Sequence, residues 1–137
     1  MTRDDRILRW ELAEVDGQRM KTLALLLADA NPIHLSGAAA RDLGFPDGPV
    51  NQGPSTIALI YNLFEQHTPH ERVRRLTVRL LGTVIAGEAI VAEARKTPET
   101  SDPAEPGDRV YDVTVEAGGV PVIRGRAVTA PRREERT

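Results

Sequence analysis

The sequence predicts an α+β fold, one apolar helix wrapped by an antiparallel sheet. Three observations predict it. Residues 53–66 carry Ile57, Leu59, Ile60, Tyr61, Leu63 and Phe64 around most of a helical circumference, the mark of a buried helix. Four strand patterns with tight turns follow, which favours antiparallel pairing. One short strand pattern and some small helical segments come before.

The elements can be justified in chain order. Residues 7–12 alternate loosely around Trp10 and read as a first strand. Asp16 is a helix cap, and Met20, Leu23, Ala24 and Leu27 share one face of a helix over 17–28. Ser36 caps a second, short helix through Ala38–Ala40 and Leu43, with Gly44 in the C-cap place. Phe45–Pro49 is loop. In the central helix, Tyr61 and Phe64 read as core packing. The four later strands are expected at 71–81, 89–95, 109–116 and 120–129. In the first, Leu76, Val78 and Leu80 alternate with Arg75, Thr77 and Arg79. In the third, Tyr111, Val113 and Val115 share a face. Gly118-Gly119 is a hairpin signal. Residues 97–108, rich in Pro, Glu and Asp, predict a mobile, solvated loop. The expected organisation is one domain over 1–130 and a flexible polar tail over 131–137.

Composition narrows the class of function. The chain has 137 residues, enough for one domain, and a formal net charge of −2 gives no electrostatic case for nucleic acid. Aromatics at 4% argue against base-stacking surfaces. The absence of cysteine removes thiolate nucleophiles, disulfides and cysteine metal sites together. The first residues are charged with no apolar core behind them, and no apolar stretch has the length of a membrane span. A cytoplasmic protein is the expectation. His67 and His70 lie three apart with no further ligand cluster, so they read as surface residues at a helix end and no metal is expected.

The stretch with chemical content is Asp29-Ala30-Asn31-Pro32-Ile33-His34. Proline fixes its own φ and moves the preceding residue out of the α region, so Asn31-Pro32 ends the helix before it. Asp29 and His34 are then presented from a bend, and there they can converge on one water. A carboxylate at a helix C-terminus faces the negative end of the helix dipole and calls for a donor partner. His34 is the candidate. Taken alone, the spacing is equally that of a loop carboxylate and a packing histidine.

This run resembles the hydratase motif of the MaoC-like dehydratases, the (R)-specific enoyl-thioester hydratase branch of the hot-dog superfamily. The resemblance continues through Ala38–Ala40, Gly44-Phe45-Pro46, Val50-Asn51-Gln52-Gly53 and Gly87-Glu88. It implies a hot-dog fold with a short overhang carrying the motif, and a site near a dimer interface. The implied activity is reversible hydration of a trans-2-enoyl thioester to an (R)-3-hydroxyacyl thioester. No cofactor is implied, because coenzyme A or a carrier-protein arm is part of the substrate. Asp29 and His34 would be catalytic. Gly53, at the N-terminus of the central helix, would hold the thioester oxygen with Gln52 beside it. Asn31 and Pro32 would be structural at the site. The sequence departs from the family twice, with Ala28 where a glycine is usual and Gln52 where a histidine is common. The second departure predicts a shifted substrate preference, since an amide cannot carry a proton.

Arg72, Arg74, Arg75 and Arg79 form a basic cluster. Arg74 and Arg75 are candidates for coenzyme A phosphates, although a charge run on a strand is more often a solvated face. The expected partner is a second hot-dog chain, in a homodimer or a heterodimer. Three competing readings stand beside the hydratase. One is a subunit of a heteromeric dehydratase. Another is an acyl thioesterase, disfavoured because those enzymes generally lack Asn-Pro-Ile-His. The last is a non-catalytic thioester-binding protein.

Overall fold

The computed structural model describes residues 7–29, 31–46, 48–97 and 105–133. In chain order these form β1 (Ile7–Leu12), α1 (Gly17–Leu26), a single 3-10 turn (Pro32–His34), α2 (Gly37–Asp42), α3 (Gly53–His67), β2 (Glu71–Leu80), β3 (Ile90–Lys96), β4 (Arg109–Ala117) and β5 (Val120–Pro131). The strands make one antiparallel sheet in the order β1-β3-β4-β5-β2. This is the α+β hot-dog architecture, with α3 as the helix enclosed by the sheet.

The sheet owes its inner face to alternation. Ile90, Ala92 and Ala94 of β3, Tyr111, Val113 and Val115 of β4, and Ile123 and Ala127 of β5 are all buried. Ile60, Leu63 and Phe64 of α3 lie in the same cluster. Phe64 meets Tyr111 edge to face, with ring centroids 5.0 Å apart, a geometry that aromatic quadrupoles favour. The β4–β5 turn is a two-residue hairpin in which Gly118 and Gly119 both take positive φ, 57° and 80°. Two consecutive left-handed residues match the twist of the flanking strands, and glycine alone adopts them without strain.

Several expectations are corrected. Tyr61 is 49% exposed and is not core, because its side of α3 turns away from the sheet. Leu27 is exposed and lies beyond the end of α1, which closes two residues earlier than the pattern predicted. Leu80, at the end of β2, is also exposed. Of the expected loop over 97–108, residues 98–104 lie outside the described residues. Its last residue is far from solvated: the Asp108 side chain is only 2% exposed and accepts from Arg74 Nη2 at 2.7 Å. The first residues of the expected tail are part of the fold. Pro131 ends β5, and Arg132 N donates to His70 O while its guanidinium reaches Glu65. Residues 134–137 lie outside the described residues.

Candidate active site

Helix α1 ends in a way that aims Asp29. Asp29 N donates to Ala24 O and Ala28 N to Leu25 O, the paired closing bonds of a Schellman motif. That motif needs a left-handed residue at its turn, and here Ala28 supplies it with φ 51°. The unusual residue before Asp29 thus carries a conformation that glycine adopts more easily. Asn31 then caps the 3-10 turn, its Oδ1 accepting from Ile33 N at 3.3 Å, and Pro32 opens that turn. Asp29 Oδ1 accepts from Asn31 N at 3.1 Å. Asn31 and Pro32 therefore shape the bend.

The bend closes Asp29 onto His34. Nε2 of His34 lies 3.2 Å from Asp29 Oδ2. On the other side of the ring, Nδ1 lies 2.6 Å from Val50 O. A carbonyl only accepts, so Nδ1 carries the proton and donates it, which leaves Nε2 facing the carboxylate. The His34 side chain is 11% exposed and that of Asp29 is 35% exposed, so the pair is held from the histidine side and reached from the aspartate side. Val50 grips the bend at a second point, since its N donates to Ile33 O at 2.8 Å. Val50 is itself fixed by a bridge to Ile85 and by the Asn51 N to Val84 O bond. The orienting carbonyl was not among the sequence candidates, and a backbone atom leaves no residue signature.

A cavity of about 200 Å³ lies beside His34, lined by Val50, Asn51, Gly53, Thr56, Leu80, Val84 and Ile123 among others. Gly53 is the first residue of α3, where N–H groups lack helical acceptors. Pro54 follows and has no N–H, so the Gly53 donor stands apart from the rest of the turn. The structure thus brings His34 and Gly53 to one cavity, while Asp29 meets His34 from outside that lining and borders a separate hollow with Lys21, Ala24, Leu25, Ala28 and Leu35.

Gln52 is placed elsewhere. It is 1% exposed, its Nε2 donates to Met20 O at 2.9 Å, and it does not line the cavity beside His34. Its Oε1 has no partner among the described residues. The residue next to the glycine is therefore a core amide tying α3 to α1. Of the basic cluster, Arg74 is engaged by Asp108, while Arg72, Arg75 and Arg79 are exposed on β2. His67 Nε2–H donates to Arg9 O at 2.7 Å. Among the described residues no group of His, Asp and Glu is arranged to hold a metal, and no helix is long and apolar enough to cross a membrane.

Comparison with known proteins gives the chain its family. The family model described as MaoC like domain matches residues 9–119. No curated protein sequence matches the chain. Among solved structures, the (R)-hydratase from A. caviae superposes with a TM-score of 0.82 at 21% identity, covering 96% of this chain and 98% of that one. R-hydratase PhaJ1 from Pseudomonas aeruginosa gives 0.82 at 18% identity, covering 97% of this chain and 84% of that one. The ChsH1-ChsH2 complex from Mycobacterium tuberculosis gives 0.78 at 15% identity, covering 96% and 100%. With the family model matching most of its length, the chain belongs to the MaoC-like domain family.

Proposed function

We propose that the protein hydrates trans-2-enoyl thioesters reversibly to (R)-3-hydroxyacyl thioesters. The observation that carries this reading is the Asp29–His34 pair, 3.2 Å apart, whose histidine lines a cavity together with Gly53. A water bound alongside Asp29 Oδ2 and His34 Nε2 is aimed by these acceptors. Its oxygen adds to the β carbon of the enoyl group while the pair takes one of its protons. The electron pair moves to the thioester oxygen, where the Gly53 N–H stabilises the growing negative charge. The proton held by the pair is then delivered to the α carbon. The two groups face one another, so Asp29 and His34 act together in this proton transfer. The Val50 carbonyl fixes the imidazole tautomer throughout.

We infer further that a second hot-dog chain completes the site. Leu80 lines the cavity and is 57% exposed, at the end of an edge strand that a neighbouring chain can cover. Arg75 is exposed on the same strand, which supports it as a contact for coenzyme A phosphates. Arg74, paired with Asp108, would reach such a phosphate only by giving up that partner.

The test is hydration by the purified chain alone, with enoyl-CoA substrates of several lengths, following loss of the conjugated thioester absorbance. Activity that falls at least about 100-fold in both Asp29→Asn and His34→Ala supports the reading. No activity from a folded chain moves the assignment to a heteromeric enzyme, and a second hot-dog subunit should then restore turnover.

A further inference from the structure

Asn51 is a buried polar residue that the proposed chemistry does not use. It is 8% exposed. Its Nδ2 donates to Thr56 Oγ1 at 2.9 Å, and Thr56 Oγ1 lies 3.4 Å from Gln52 O, to which it donates. The carboxamide is thus latched across the first turn of α3. A buried amide held in this way has one orientation, because leaving it unpaired costs more than the bond itself contributes.

Its position gives that rigidity a consequence. Asn51 lines the cavity beside His34. It also lines a groove of about 440 Å³ between α1, α3 and β1, formed by Trp10, Leu12, Met20, Leu23, Ala58 and Leu59 with others. Among the described residues Asn51 is the one common to both linings. The groove is mostly apolar, and the cavity beyond His34 is walled by Leu80, Val84 and Ile123. One latched amide therefore borders both apolar spaces.

We propose that Asn51, held by Thr56, is the partition that ends the acyl cavity and sets the acyl length the site accepts. The proposal rests on the thioester reading of the site. A short acyl chain fits beside His34 without touching the partition. A longer one must bury its end against a polar amide that is already hydrogen-bonded and cannot move aside. Removing the Asn51 side chain opens the groove to the end of that chain, and each methylene that enters adds apolar burial.

Binding tests this separately from turnover. Butyryl-, octanoyl- and decanoyl-CoA, which are saturated and do not react, are titrated calorimetrically into the wild-type chain and the variants. Asn51→Ala should raise the affinity for decanoyl-CoA relative to butyryl-CoA by about ten-fold, the scale of one or two methylenes gaining a pocket. Thr56→Val, which removes the latch and keeps the amide, should shift the ratio the same way by less. Thr56→Ser keeps the hydroxyl and should leave the ratio at its wild-type value. Adding Ala58→Trp to Asn51→Ala fills the groove and should cancel the gain. An unchanged ratio in folded Asn51→Ala and Asn51→Ser overturns the partition, as does a gain that survives Ala58→Trp. Failure of every acyl-CoA to bind the wild-type chain overturns the partition and the thioester reading together. Length-dependent binding without hydration overturns the hydratase assignment alone.

Discussion

His34 and Val50 are joined by a 2.6 Å bond from an imidazole nitrogen to a main-chain carbonyl, and that bond decides which nitrogen faces Asp29. With Nδ1 committed as donor, Nε2 is the only ring nitrogen that can exchange a proton with a water at Asp29. Replacement of His34 by Gln keeps a donor for the carbonyl but removes the titrating atom. Hydration should fall about 100-fold or more in His34→Gln, with the fold retained by circular dichroism. Activity within a few-fold of wild type would show that Asp29 works without the imidazole.

Ala28 holds a left-handed conformation one residue ahead of Asp29, with φ 51°. An L-residue with a Cβ is strained there by about 1–2 kcal/mol, and glycine's looser unfolded chain returns about 0.4–1 kcal/mol of that. Ala28→Gly should therefore stabilise the protein by about 0.5–1 kcal/mol. The measurement is the denaturant midpoint, which should rise at unchanged m-value. A lower midpoint would mean that the turn is not under strain.

Gln52 offers a contrasting case, an amide whose Oε1 is buried without a partner among the described residues. Its other end donates to Met20 O, a carbonyl inside α1. Gln52→Met gives up that one bond and removes the orphan acceptor, while roughly keeping the volume. The orphan costs more than the bond contributes, so thermal unfolding should show a gain of about 1 kcal/mol. A loss of stability would show that the oxygen is satisfied after all.

Much of this fold was legible in the residues. The central helix expected at 53–66 is observed at Gly53–His67, and the Gly118-Gly119 hairpin and the Asp16 and Ser36 caps appear where their local chemistry put them. Those signals are local, carried by periodicity or by a side chain bonding two or three residues on. What was not legible depends on distant or main-chain partners. Tyr61 matched the apolar pattern, but only the sheet's position shows which side of α3 lies outside it. The Asp29–His34 approach was expected from the bend, whereas the carbonyl that orients His34 is a backbone atom. Gln52 looked like a site residue because it precedes Gly53, and its burial under α1 is set by tertiary packing.

Asp108 shows the same point energetically. Its neighbours in sequence are polar, which predicted solvent, yet its carboxylate is 2% exposed and pairs with Arg74 from a strand 34 residues away. It also accepts from Glu105 N at 3.0 Å, so one oxygen fixes both the strand's guanidinium and the loop entering β4. Arg74 sits where the β2–β5 register shifts, so its side chain is placed by that irregularity. Removing one partner of a largely buried pair leaves the other charge uncompensated, a loss of about 3 kcal/mol or more. Asp108→Ala should lower stability by about that amount in denaturant unfolding. The double variant Asp108→Ala with Arg74→Met should recover a large part of the loss, because no lone charge remains. Equal stability of the single and double variants would show that Arg74 reaches water once freed, and that the loss comes from the loop rather than from a stranded charge.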